Sequence, residues 1–88
     1  MKPIRLSDHA QQQILFRGCS VGEVSEAIRT SPWERAELGR LQCRRNFLFE
    51  REWHGVWCAT KVRPIFVDEP EEIVVVTVYV YYLSRERP

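Results

Sequence analysis

Two histidines are the residues of this chain whose ordinary pKa lies near neutral pH. His9 falls early in a predicted helix, off its apolar side, and His54 falls in a predicted turn. An imidazole in either place suits proton transfer, such as taking the proton of a ribose 2′-hydroxyl or protonating a leaving oxygen. Each histidine equally fits an ordinary surface or capping role. Of the two, we favour His9 for acid–base chemistry because it lies off the apolar stripe.

The cations concentrate in the middle of the chain, where residues 36–63 carry six basic side chains against three acidic ones. Lys61 and Arg63 are two apart in a predicted strand, so their side chains project from the same face of a sheet. Arg44 and Arg45 are neighbours and project from opposite faces, so only one of them can join that pair, and we place Arg45 there. Guanidinium groups bind two phosphate oxygens together. A charged row of this kind is equally typical of a solvated strand face.

A histidine, phosphate-binding cations and aromatic side chains are together suited to metal-free cleavage of RNA. Six aromatic residues offer surfaces on which bases could stack, although most of them must belong to the core of so short a chain: Phe47, Trp53, Trp57, Tyr79, Tyr81 and Tyr82. The chain has no glycine-rich phosphate loop, no His/Cys ligand set and no nucleophile elbow. We therefore expect no cofactor, no metal, and no hydrolase of the serine, zinc or nucleotide-triphosphate type.

The length and composition fit one globular domain over residues 1–88, with 44% apolar residues available for a core. The longest apolar run, Ile73 to Leu83, is too short to cross a bilayer, and we see no signal peptide. Three cysteines, Cys19, Cys43 and Cys58, have no metal-binding or disulfide spacing. We interpret them as small buried residues of a cytoplasmic protein that makes no membrane contact.

The first helix is predicted to begin after Ser7, which is a suitable N-cap, and to run to about Arg17. Gly18 then suits a left-handed C-cap. The alternating residues 4–6 just before this helix predict a short edge strand. The apolar stripe of the helix is expected at Ala10, Ile14 and Leu15.

The second helix has a Ser-x-x-Glu capping box at its start, formed by Ser20 and Glu23. It should end at Ser31, because a residue that precedes a proline is disfavoured in the helical region. Its apolar face, which must cover a sheet, consists of Val21, Val24, Ala27 and Ile28.

The remainder of the chain predicts antiparallel strands over residues 40–50, 56–67 and 73–83. Turns are expected at Trp53-His54-Gly55 and at residues 68–71, and the middle strand should break or bulge near Pro64.

The last strand is apolar on both faces, which is typical of a strand inside a sheet. One predicted face is aliphatic and should meet the helices: Val74, Val76, Val78 and Val80. The other is mixed: Ile73, Val75, Thr77, Tyr79 and Tyr81. Since two short helices cover only one face of a sheet, the mixed face should take a ligand, a dimer partner or the chain's own tail.

Four short motifs carry a family resemblance: Ser7-Asp8-His9-Ala10, Arg17-Gly18, Ser20-x-x-Glu23-Val24 and Thr77-Val78-Tyr79. With them the chain resembles a family of small bacterial proteins of unknown function, which is similar in layout to the RelE, ParE and BrnT toxins. The resemblance implies two helices against an antiparallel sheet. That toxin group includes ribosome-dependent and free ribonucleases, and also proteins that act on DNA gyrase.

Residues and resemblance together predict an α+β fold with two N-terminal helices packed on one face of a three- to four-stranded antiparallel sheet. We expect a toxin-type endoribonuclease with His9, Arg45, Lys61 and Arg63 at its catalytic site. The implied partners are RNA or the ribosome and a small antitoxin protein encoded by a neighbouring gene. The alternative is a non-catalytic interaction module that binds a protein or forms a homodimer through the mixed face.

Overall fold

The computed structural model describes residues 2–53 and 56–86, and the side chains of residues 2–47 and 60–81 within them. The predicted α+β class is confirmed. The predicted turn at His54 and Gly55 lies outside the described residues. The described elements, in chain order, are β1 (Ile4–Leu6), α1 (Asp8–Arg17), α2 (Val21–Thr30), β2 (Glu34–Arg35), β3 (Leu41–Gln42), β4 (Arg45–Trp53), β5 (Val56–Asp68) and β6 (Ile73–Glu86). Neither described helix, at ten residues each, has the length and apolar character needed to cross a bilayer.

The described strands form one mixed sheet in the order β1-β6-β5-β3-β2, and β4 also pairs with β5. The edge strand predicted at residues 4–6 is β1. The sheet has more strands than the three or four expected, because the strand predicted over residues 40–50 is divided into β3 and β4, and β2 is too short to stand out in the sequence. It is also not wholly antiparallel. β1 runs parallel to β6, with Ile4 opposite Ile73 and Leu6 opposite Val75, whereas the other described pairs are antiparallel.

Strands β3 and β4 lie along the same edge of β5 in one continuous register, from the Leu41–Phe66 pair to the Arg45–Val62 pair. The expected break near Pro64 falls on this neighbouring edge, while β5 itself is continuous through the proline. Proline has no N–H to donate to the ladder. Among the backbone bonds of the described residues, the one from Cys43 N to Pro64 O, 3.4 Å long, spans the gap between β3 and β4.

The ends of α1 are confirmed, since Ser7 Oγ accepts from Ala10 N at 3.1 Å and Gly18 adopts φ 70°. The predicted stripe is right for Ala10 and Ile14, which are buried, and wrong for Leu15, which is 84% exposed. The helix packs beside β1 and β6 at the margin of the sheet. A helix in that position buries only a narrow stripe.

The start of α2 is also confirmed, because Ser20 and Glu23 form both hydrogen bonds of the capping box, at 3.0 and 3.1 Å. The helix ends before Ser31, which is extended. Three of the four predicted apolar-face residues are buried: Val24, Ala27 and Ile28. Val21 is 54% exposed, because it lies in the first turn beside the exposed Leu15 instead of above the sheet.

Strand β6 contains a β-bulge that exchanges its two faces. Ile65 pairs with Thr77 but Phe66 pairs with Val75, so Val76 is an extra residue. The residues that meet the helices are therefore Ile73, Val75, Val78 and Val80. The predicted face of four even-numbered valines is wrong before the bulge and right after it, because one extra residue reverses the alternation of side chains.

Two faces of the sheet can now be defined. The covered face packs under the helices and contains Val62, Pro64, Phe66 and the four buried residues of β6. The open face lies on the other side and contains Lys61, Arg63, Ile65, Thr77, Tyr79 and Tyr81. The core therefore lies between the helices and the covered face, and the open face is available for other contacts.

Candidate nucleic-acid interface

A cleft of about 550 Å³ lies on the open face. One wall is the turn that joins β2 to β3, from Arg35 to Arg40. The floor is formed by side chains of β3, β5 and β6: Gln42, Arg63, Ile65, Thr77 and Tyr79. The cleft therefore depends on the β2–β3 hairpin standing beside the two longest strands of the sheet.

Arg63 is the cation at the floor of this cleft. It lies opposite Tyr79 in the β5–β6 ladder, and its guanidinium carbon is 4.8 Å from the centre of the Tyr79 ring. The ring centre of Tyr81 is 5.7 Å from the same atom. Two tyrosine rings thus hold the guanidinium by cation–π contacts. Its Nε is buried and has no hydrogen-bond partner among the described residues.

Further cations share the open face with Arg63. Lys61 lies opposite Tyr81, two residues along β5, and Arg40 forms part of the cleft wall. None of these three cations forms an ion pair with a carboxylate in the described part of the chain. Cations without a carboxylate partner attract polyanions, and Glu37 in the cleft wall offsets part of their charge.

Arg44 also belongs to the open face, because the continuous register places it opposite Arg63. Its guanidinium forms an ion pair with Glu34, with an Nη2–Oε1 distance of 2.8 Å. That hydrogen bond raises the pKa of Arg44 further above its ordinary value. Glu34 therefore neutralises part of the charge beside the cleft.

The structure separates Arg45 from the cations it was expected to join. Arg45 pairs in register with Val62, which faces the helices. Its guanidinium forms an ion pair with Glu26 of α2 at 3.3 Å and donates to Thr30 Oγ1. Lys61 and Arg63 do share a face, as the spacing predicted. The neighbour that joins them is Arg44, because Arg45 points to the helix side.

His9 lies exposed on α1, in the helix layer. One helical turn further along the same side of α1, Gln13 Oε1 accepts from Thr77 Oγ1 and, at 2.8 Å, from the backbone N–H of Val78. Thr77 in turn lines the cleft. His9 itself lies on the helix side of the sheet and is not among the residues that line the cleft, and His54 lies outside the described residues.

The aromatic residues singled out for stacking fall into different places. Tyr79 and Tyr81 lie on the open face against Arg63, and 42% of Tyr81 is exposed. Phe47 packs against the core on the helix side, with the Arg45 guanidinium 5.6 Å from its ring centre. The side chains of Trp53, Trp57 and Tyr82 lie outside the described residues.

The described cysteines have the properties of small core residues. Burial is the main cause that raises the pKa of the Cys19 and Cys43 thiols, to about 11 in each case, so both stay protonated at neutral pH. The side chain of Cys58 lies outside the described residues. Within the described part of the chain, no group of three His, Cys, Asp or Glu side chains is close enough to hold a metal ion.

The acidic turn after β5 has two of its carboxylates neutralised. Asp68 forms an ion pair with Lys2, and Glu72 binds the Arg5 guanidinium through distances of 3.0 and 3.1 Å. The hydrogen bond from Arg5 is the main cause that lowers the pKa of the Glu72 carboxyl. The turn therefore repels a polyanion less than its sequence suggests.

Arg40 and Gln42 were not predicted from the sequence as site residues. Arg40, Gln42 and Arg44 are spaced two residues apart, and residues at that spacing in one strand share a face. This pattern predicts a common face only once β3 and β4 are known to keep one register past Pro64. Thr77, by contrast, was predicted on the mixed face, and it lies on the open face in the lining of the cleft.

Comparisons with protein-family models, with curated proteins and with solved structures find nothing that matches this chain. The resemblance to the RelE-like toxins therefore stays a prediction. Several residues of the motifs that carry the resemblance have structural roles in this fold. Ser7 and Gly18 cap α1, Ser20 caps α2, and Thr77 is hydrogen-bonded to α1.

Proposed function

We propose that this protein acts on RNA, and that a single strand binds across the open face. The observation that carries the proposal is the state of Arg63. This cation is fixed by Tyr79 and Tyr81, has no carboxylate partner in the described residues, and lies in a cleft of suitable size for a nucleotide. A preorganised arginine of this kind is suited to a phosphate group, which accepts its N–H bonds bidentately.

The neighbouring residues favour a single strand over a duplex. Lys61 and Arg40 lie on either side of Arg63 and would follow a phosphate backbone, while the exposed part of Tyr81 offers an aromatic surface to a base. Basic grooves with interleaved aromatic rings are typical of proteins that bind single strands. Such a groove does not need the depth that a rigid duplex would require.

Cleavage of the bound strand, in the manner of a toxin-type endoribonuclease, is the second part of the proposal. His9 is the candidate for proton transfer, because it is exposed and lies one helical turn from Gln13, which contacts the cleft residue Thr77. Arg45 lies on the helix side, so its expected share in phosphate binding passes to Arg63 and Lys61.

The binding part is tested with a labelled single-stranded RNA of about 12 nucleotides. Lys61→Ala with Arg63→Ala should flatten the dependence of log affinity on log salt by about one to two units, because two phosphate contacts are lost. Arg5→Ala is the matched control for loss of an exposed arginine, since that cation is already paired with Glu72. Equal slopes for the double variant and the wild type would contradict the proposal.

The cleavage part uses the same protein samples, with and without ribosomes. His9→Gln should reduce cleavage about 10²–10⁴-fold while the melting temperature stays unchanged, because proton transfer is lost and the fold is not. Loss of activity in proportion to the unfolded fraction would give His9 a structural role only. A wild-type protein that binds RNA without cutting it would leave the binding function and remove the enzymatic one.

A second candidate is a protein-interaction module, and the observation that favours it lies on the helices. Leu15, Phe16 and Val21 expose 84%, 91% and 54% of their surface around the junction of α1 and α2. Adjacent exposed apolar side chains mark protein contacts. Under this candidate the partner is a second copy or a small antitoxin protein, and the contact uses the helix side instead of the mixed sheet face expected from sequence. Sedimentation of wild type and Phe16→Ser decides whether the chain self-associates.

A further inference from the structure

The turn between β2 and β3 contains a leucine whose backbone conformation is disfavoured for that residue type. Leu38 has φ 60° and ψ 33°, and Gly39 follows it with φ 72°. Two consecutive left-handed residues are typical of a type I′ turn, in which Asn-Gly is preferred. A leucine is disfavoured there because its Cβ crowds the following carbonyl oxygen. Among the described residues, Leu38 is the only one other than glycine with a positive φ.

The same leucine contributes nothing to the core, because 84% of its surface is exposed. Its conformation is held by the hairpin instead. Ala36 N donates to Arg40 O at 2.8 Å, and Arg40 N donates to Glu37 O at 3.2 Å. A strained backbone that presents an exposed apolar side chain points to a contact outside the fold, because packing does not offset the strain.

The location of Leu38 indicates which kind of ligand it contacts. It forms part of the cleft wall, in the same turn as Arg40 and across the cleft from Arg63. A ligand that fits this arrangement carries negative charge for the guanidinium groups and a flat apolar surface for the leucine. A single strand of nucleic acid has both in each nucleotide, its phosphate and its base.

We propose that Leu38 packs against a nucleobase of the strand bound in the cleft, while Arg40 and Arg63 hold its phosphates. The inference rests on the RNA-binding function proposed above and adds a base-contacting residue to it. Apolar side chains are used in this way where they are placed against or between bases. A base contact releases no counterions, so the affinity that Leu38 adds does not depend on salt.

The test is Leu38→Asn, which suits the turn better and removes the apolar contact. The melting temperature should rise by roughly 4–8 °C, because asparagine tolerates the left-handed region. Affinity for the labelled RNA of about 12 nucleotides should fall about five- to tenfold, with an unchanged salt slope. Leu38→Phe retains an apolar surface and should keep most of the affinity. If Leu38→Asn is more stable than the wild type and binds RNA less tightly, misfolding does not explain the loss of affinity.

Leu15→Asn is the matched control, because Leu15 is also 84% exposed but lies on α1, on the helix side of the sheet. It should leave RNA affinity unchanged. Equal affinity of Leu38→Asn and wild type would overturn the inference while the RNA-binding function stands. A wild type that binds no RNA would overturn both. A change in sedimentation of Leu38→Asn, with unchanged RNA affinity, would assign the leucine to a protein contact and also overturn the inference.

Discussion

The two faces of the sheet use their charged side chains in opposite ways. On the covered face the cation Arg45 is paired with Glu26, and its neighbours are apolar residues under the helices. On the open face Lys61 and Arg63 have no carboxylate partner among the described residues, and Arg63 is held by aromatic rings. One face is thus packed and its cation is paired, whereas the other face presents two cations that have no carboxylate partner among the described residues.

The largest expected effect comes from truncating the covered face. Phe66→Ala should lower the free energy of unfolding by roughly 3–5 kcal/mol, because it opens a cavity beneath α2. Phe66 is fully buried and its ring makes an edge contact with Trp33, with ring centres 5.0 Å apart. The measurement is a urea unfolding curve.

The matched control is the neighbouring residue on the open face. Ile65→Ala should lower the free energy of unfolding by less than half as much, because Ile65 is only half-buried and lines the cleft. Similar losses for the two variants would break the comparison. They would mean that the open face is also packed, as it would be in a dimer formed through that face.

A smaller effect is expected at the helix that covers the sheet. Ser20→Ala should lower the free energy of unfolding by about 0.5–2 kcal/mol, because Glu23 N loses the acceptor of its capping bond. Ser25→Ala, in the middle of the same helix, is the control and should cause no loss, since alanine favours helix. Thermal unfolding of both variants checks the prediction, and no shift for Ser20→Ala would contradict it.

The smallest effect sharpens the comparison of charges. Glu34→Gln frees Arg44 on the open face and should raise RNA affinity about two- to fivefold, because one more cation is available to phosphate. Glu26→Gln frees Arg45 on the helix side and should leave RNA affinity unchanged. Binding isotherms at a single low salt concentration measure both. An equal gain for the two variants would show that only net charge matters, and not the face that bears it.

The sequence predicts this fold best where structure is local. The caps at Ser7, Gly18 and Ser20 each follow from a few neighbouring residues, and all three are confirmed. The faces of β6 depend on how it pairs with β5, and the extra residue Val76 has no signature in a run of valines. Short-range patterns therefore give the helices, and long-range pairing decides the faces.

The site follows the same division. Lys61 and Arg63 share a face as their spacing predicts, because alternation within one strand is local. The choice between Arg44 and Arg45 needs the register of a second strand. That register places Arg45 on the helix side and Arg44 on the open face. The cleft wall could not be predicted, because Leu38 occupies a turn position where the rules favour asparagine.

Pro64 gives the sheet edge two separately held segments. The β3 segment is fixed by its pairs with Ile65 and Phe66, and the β4 segment begins again at Val62, with one long backbone bond in the gap. Opening the β2–β3 hairpin therefore breaks few ladder bonds and leaves β4 in place. Local opening of this kind requires less free energy than global unfolding. We therefore expect the amide hydrogens of the cleft wall to exchange with solvent faster than those of the β5–β6 ladder.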